Sequence, residues 1–324
     1  MNINSTIRNQ PKILPALAVG FKSVANHIYL ILFPIGLDLF LLLSPRYTIS
    51  TLAQKFLAQF SALGETTPET GAIWSEFLDL AKEYFQYFSV SSALRTIPVG
   101  VPSLLAGRVP KETPFGSYSI TEIGSESTLL LALFGFSLLG ILLGTIYFQK
   151  CSDAVHTPLK KTSLKEFGRL LLNAIALPLL MVLALVVVGI PVILLITLLS
   201  MIHPIVGMIG YFIMTMILLS VFIPMVFTPQ AIFLFNENLI NSIKASIRII
   251  RSTYSITSLF LMLEISITYL TNLLWQSPPD NSWMLMVGIF GHALVTTALT
   301  IASFHFFLDS AQCVQADQLS ASQA

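Results

Sequence analysis

Between Leu170 and Asn236 the chain carries no Asp, Glu, Lys or Arg, and His203 is the only histidine there. A bilayer-spanning helix needs about 20 apolar residues, so this stretch supplies two. Lipid offers no partner for backbone polar groups, which forces both segments to be helices. Of the 324 residues, 55% are hydrophobic and 10% charged, against about 25% charged in ordinary soluble domains. So few charges could not cover a soluble core of this size. A net charge of +1 excludes the basic surface of a nucleic-acid binder, and no nucleic-acid partner is expected.

The expected fold is all-α: a polytopic helical membrane protein with about six transmembrane helices and additional amphipathic interfacial helices. Apolar runs place the spans at about 27–44, 127–148, 170–199, 204–233, 255–275 and 283–308. Pro178, Pro191, Pro204 and Pro224 predict kinks or tilt in the third and fourth. The first apolar segment reads as a retained span, since no small-residue cleavage site follows it. Before it, Leu14, Leu17, Phe21 and Val24 recur at helical spacing, which predicts an interfacial helix. Residues 309–324 read as a small, frayed polar tail.

Residues 45–126 are too polar to span and form an extracytoplasmic helical insertion. Leu52, Phe56, Phe60 and Leu63 make one amphipathic stripe; Ile73, Phe77, Leu80, Tyr84 and Phe88 make another. Pro98, Gly100 and Pro102 make Arg95–Arg108 a poor spanning helix.

Lys and Arg near the spans set orientation. The N-terminal segment holds Arg8, Lys12 and Lys22. The 149–169 loop holds Lys150, Lys160, Lys161, Lys165 and Arg169, and the 236–254 loop holds Lys244, Arg248 and Arg251. The short connections 200–203 and 276–282 hold neither residue type. Six spans then put both termini in the cytoplasm of a multi-pass cell-membrane protein. Cys151 and Cys313 fall on that side, so no disulfide is implied.

Glu264, in the middle of the fifth span, is the most informative polar residue, because an unpaired carboxylate in lipid is costly. It shares a helical face with Thr257, Thr268 and Thr271. If Trp275 faces Trp283, Glu264 sits level with residue 294, within two residues of His292, or roughly 3 Å by helix rise. An approach of Glu264 to His292 is expected, helped by Gly288 and Gly291. It would be a proton or cation relay, or simply a buried hydrogen-bonded pair, or a protonated Glu264 bonded to a threonine. Asp38 is the second intramembrane acid, with Pro34 and Gly36 just before it; its role is either functional or one of capping and packing. In 238–253, Leu239, Ile243, Ile247 and Ile250 oppose Lys244, Arg248 and Arg251. That pattern predicts an interfacial basic helix on anionic headgroups, with Asn236 as its N-cap.

No metal site or cofactor is expected. Cys151 and His156 have no second ligand pair at zinc spacing, and no G-x-S-x-G, H-E-x-x-H or Gly-rich phosphate loop occurs. Gly140-x-x-x-Gly144 suits helix packing.

The run from Pro229 to Tyr254 ends a span near a proline and continues into an acidic residue, Glu237. A short amphipathic helix with Lys244, Ser246, Arg248 and Arg251 follows, and then the chain re-enters the membrane. This run of about 25 residues resembles the membrane domain associated with some bacterial glycerophosphodiester phosphodiesterases. The resemblance implies a bacterial membrane protein of poorly defined role; the phosphodiesterase activity does not carry over, since no soluble phosphodiesterase domain is present. The leading expectation is a non-enzymatic scaffold or accessory subunit of a transport or envelope assembly, with the lipid bilayer and a membrane protein as partners. The alternatives are a small transporter or channel using Glu264, His292 and Asp38, and an enzyme acting on lipid with Arg95, Glu122 and Glu126.

Overall fold

The computed structural model describes residues 10–61, 68–107, 109–110, 112–117, 119–155 and 163–322. Arg8, Leu63, Arg108, His156, Lys160 and Lys161 lie outside the described residues, as do the side chains of Phe60, Ile73 and Trp74. The chain is all-α. Among the described residues, five helices are long and apolar enough to cross a membrane, or six if one bent pair counts as a span.

The post of the bundle is α12 (Met284–Ser322), whose central residues Ala298, Ile301, Ala302 and Phe304 are fully buried. It does not stop where the apolar run stops. The tail expected to fray beyond residue 308 continues as helix to Ser322, and Ala311 and Val314 remain buried. Neighbours clasp α12 through small or aromatic contacts. In α1 (Ile13–Asn26), Gly20 lies so close that a Cβ there would overlap the Ala298 carbonyl oxygen. In α11 (Tyr254–Trp275), Phe260 stacks on Phe306 with ring centroids 4.2 Å apart.

The helix α1 also packs on the bundle, and not through its large residues alone. Its buried face is Ala16, Gly20, Ser23 and Val24, and that face packs on α12. Of the periodic residues, Leu14 and Phe21 stay 74% and 41% exposed and point away from the bundle. Apolar periodicity picked the large residues, whereas helices in lipid approach through their small ones. The chain then bends by 93° into Ile28–Leu43, where a 3-10 turn (Ile28–Ile31) leads into α2 (Leu32–Leu43). The first expected span is therefore half of a broken pair.

The helix α5 (Glu126–Asp153) is long and apolar enough to span, and its two glycines Gly140 and Gly144 meet no other α-helix. A Cβ at Gly140 would overlap the Leu94 carbonyl, and one at Gly144 would lie 2.6 Å from the Gly100 Cα. The glycine pair receives an extended stretch of the insertion whose Val99, Val101, Leu104, Leu105 and Val109 are buried. Non-helical backbone is tolerated inside a bundle only where protein surrounds it.

Among its described residues, the rest of the insertion comprises α3 (Ser50–Ser61), α4 (Pro68–Tyr87), a 3-10 turn Val90–Leu94 and four short strands. The strands β1 (Arg46–Thr48) and β4 (Ile120–Glu122) pair in parallel, and β2 (Glu112–Thr113) and β3 (Gly116–Ser117) antiparallel. A purely helical insertion is thus corrected. The buried flank of α3 is Ala53 and Leu57, one residue on from the expected stripe, while Phe56, Phe77, Leu80 and Tyr84 are exposed.

Glu122 ties the strands to α3. Its carboxylate accepts from Thr48 Oγ1 at 2.5 Å and from the Thr51 N–H at 2.8 Å, in the first turn of α3. Slight burial raises its pKa, but the bonds from Thr48 and Thr51 outweigh this and hold it below the ordinary value of 4.5. A folded pKa below the unfolded one stabilises fully above the ordinary value, and that stabilisation is lost as pH falls through the folded value. Hydrogen-exchange protection of α3 is expected to stay constant from pH 7 down to about pH 5 and to drop below it. Glu122→Gln should give weaker protection without that step.

Beyond α5, a capping box starts α6 (Leu164–Ala184). Ser163 Oγ accepts from the Glu166 N–H at 3.3 Å, and the Ser163 N–H donates to Glu166 at 2.8 Å. The first half of α6 buries Leu170, Asn173, Ala174 and Leu177 in the bundle. Past Pro178 the helix leaves it. A π turn (Leu185–Gly189) absorbs the hydrogen bond that Pro191 cannot make, and α7 (Ile190–Ile202) turns at His203 into α8 (Pro204–Phe222). These two pack on each other through Gly207 against Ser200 and Gly210 against Ile196. A 3-10 turn (Ile223–Met225) then leads into α9 (Thr228–Phe235), which is buried from Thr228 to Leu234. The third and fourth spans thus form an arm standing off the bundle.

Candidate functional site

Polar side chains inside the bundle gather on α12 and its neighbours. Along α12, Thr296 Oγ1 donates to the His292 carbonyl, Thr300 to Thr296 and Ser303 to Thr300. From outside the helix, Tyr147 Oη donates to Thr297 at 3.2 Å and Gln230 Nε2 to Ser303 at 2.9 Å. A hydroxyl that bonds its own helix, or one facing donor, carries little cost in an apolar core. The sequence reading missed Tyr147, Gln230 and Ser303. Their signal was a polar residue inside an otherwise apolar run.

Asp38 is fully buried and its carboxylate is fully engaged. It accepts from Ser103 Oγ at 2.5 Å, from the Leu104 N–H at 3.0 Å and from the Leu105 N–H at 3.1 Å. Ser103 Oγ in turn accepts from the Ala106 N–H at 3.0 Å. Asp38 therefore caps the turn that ends the extended stretch, the capping alternative named from the sequence. Arg95, at the start of that stretch, is exposed.

The structure does not bring Glu264 and His292 together. His292 Nδ1 shares a 2.8 Å hydrogen bond with Asn272 Oδ1. Trp275 lies against Gly288 and Gly291, not opposite Trp283, which packs edge-on against Phe115 of the insertion. Both the Asn272–His292 bond and the Phe260–Phe306 stack place Glu264 level with about residues 300–302. That is roughly 12 Å along the axis from His292. The expected register was wrong by about six residues because Gly288 and Gly291 admit the Trp275 indole, which slides α11 along α12. Glu264, Thr268 and Thr271 do share the half-buried face of α11 toward α12. Thr268 Oγ1 bonds the Glu264 carbonyl and Thr271 Oγ1 the Ile267 carbonyl, so neither hydroxyl serves the carboxylate.

Lys244, Arg248 and Arg251 sit on the exposed side of α10 (Leu239–Ser252), as the two-sided pattern implied. The buried side is Ser242, Ser246, Ile249 and Ile250, and Ser246 Oγ donates to the Pro224 carbonyl at 2.7 Å. Asn236 is not the N-cap. It ends α9 in the left-handed conformation (φ 52°), and Asn238 occupies the cap position of α10. Among the described residues, no group of three or more His, Cys, Asp or Glu could hold a metal ion.

The geometry defines a class, a multi-pass, all-α helical protein with an apolar exterior. Comparison with known proteins adds no relative: no family model, curated protein or solved structure matches the chain.

Proposed function

We propose that this is a non-enzymatic membrane scaffold, an accessory subunit that holds a second membrane protein through the α6–α8 arm, with both of its own ends in the cytoplasm. The supporting observation is how little of that arm the chain buries. Only 6% of the apolar window of Ile205–Phe235 is buried and 11% of that of Leu164–Met201, a value α11 shares, against 22% in α5 and 56% in α12. The 38 residues of Leu164–Met201 would run about 57 Å, nearly twice the roughly 30 Å hydrocarbon core. A helix pair serving only to cross the bilayer needs neither that length nor that isolation. Asp38 and the α12 hydroxyls are committed to the fold itself, which also favours a structural role.

The test is photo-crosslinking in native membranes from Leu194, Leu198 and Phe212, which are 59%, 62% and 64% exposed. One discrete protein adduct, concentrated on one side of the arm, is expected. Adducts to lipid alone at every position would overturn the reading.

The alternative, a small transporter, draws on one observation: no hydrogen bond to the Glu264 carboxylate is found among the described residues. It requires ion or proton flux in liposomes that Glu264→Gln abolishes, and equal flux in the variant would remove it.

A further inference from the structure

Along the first half of α5 a cavity of about 810 Å³ lies between that helix and the parallel pair of β1 and β4. Ligand sites run from roughly 300 to 1,000 Å³. Tyr47 of β1 forms one wall and meets Phe136 of α5 with ring centroids 5.9 Å apart. Next to them the floor is open, because a Cβ at Gly135 would have nothing within 4 Å.

The lining is ordered by polarity. Glu122, Ser125 and Thr128 gather at the insertion end, and Ala132, Gly135 and Leu139 follow along the helix. From Thr128 to Leu139 the helix rises about 16 Å, the depth of one leaflet of a roughly 30 Å hydrocarbon core. A groove beside a spanning helix that is polar where the bilayer begins and apolar below has the form of a single lipid. Elsewhere on α5, Leu130, Leu131 and Phe134 are exposed and form an ordinary lipid-facing surface without such a wall.

Charge narrows the headgroup. Glu122 is exposed in the lining, and Glu126, also exposed, opens α5 beside it. The bonds that Glu122 accepts from Thr48 and Thr51 hold its pKa below the ordinary value, so it is ionised at neutral pH. No Lys or Arg lines the cavity among the described residues. Such a mouth attracts an ammonium group and disfavours a headgroup with a net negative charge.

We infer that this cavity binds one phospholipid with an amine headgroup, its ammonium beside Glu122 and one acyl chain along Ala132, Gly135 and Leu139. The site shares no residue with the α6–α8 arm, so it stands or falls separately from the scaffold reading.

The test is native mass spectrometry of the full chain in detergent, titrated with phosphatidylethanolamine or phosphatidylglycerol carrying identical acyl chains. A one-to-one adduct with phosphatidylethanolamine is expected, favoured about fivefold over phosphatidylglycerol, the effect of one exposed ion pair. Gly135→Leu fills open space, so it should leave Tm unchanged and remove the adduct. Leu139→Trp narrows the apolar end of the same groove and should weaken the adduct. Leu131→Ala, at an exposed position outside the lining, should leave it intact. The inference would be overturned by an adduct that survives both groove substitutions, by equal loss in Leu131→Ala, or by equal affinity for phosphatidylglycerol.

Discussion

Asp38→Ala is expected to be the most damaging single substitution in the bundle. It removes the acceptor for the Ser103 hydroxyl and for the backbone N–H groups of Leu104 and Leu105, at a position with no exposed surface. Each buried donor left without a partner costs about 1–3 kcal/mol, so a loss of about 3 kcal/mol or more follows. In detergent this should lower Tm by roughly 5–10 °C. Asp38→Asn keeps one acceptor oxygen and should lose less than half as much. An unchanged Tm in Asp38→Ala would mean that the 103–106 turn holds itself.

Gly144→Leu should rival it by the opposite route. The nearest atoms to an added Cβ are the Gly100 Cα and N and the Val99 carbonyl oxygen, all backbone. A backbone wall cannot rotate away as a side chain can, so the extended stretch itself must shift. Overpacking typically costs about 1–3 kcal/mol, and the upper end is expected here. Gly140→Ala meets the Leu94 carbonyl in the same way. Gly135, also in α5, has nothing within 4 Å of its Cβ position, so Gly135→Ala should change stability by less than about 0.5 kcal/mol. Size-exclusion profiles and Tm values of the three variants check this. Equal behaviour of Gly135 and Gly144 variants would show that the stretch does not dock on α5.

The two substitutions bear on one feature that pattern reading left open. Pro98, Gly100 and Pro102 ruled out a spanning helix over 95–108, but alternation and periodicity say nothing about where an irregular segment goes. Its destination is legible only as complementarity: two bare glycines on α5, and a carboxylate on α2 facing three donors. The same holds for Glu264 and His292. Each was identified as an intramembrane polar residue, yet their separation depended on how far α11 slides along α12, a matter of Trp275 against Gly288 and Gly291. On α1 the spacing picked out Val24, which is buried, but not Ala16, Gly20 and Ser23, the small residues that complete the buried face.

From the sequence alone came the solvent, the helices and their order. Sixty-seven residues without a charged side chain, Leu170–Asn236, admit only lipid and only closed backbone bonding, and that constraint is local to each segment. The folded arrangement alone decided which faces meet, which donors the Asp38 carboxylate accepts from, and that the third and fourth spans stand apart as an arm. The physical reason is that lipid is as apolar as leucine. Helices inside it are therefore paired by close fit and by specific hydrogen bonds, not by the burial of apolar surface that periodicity records.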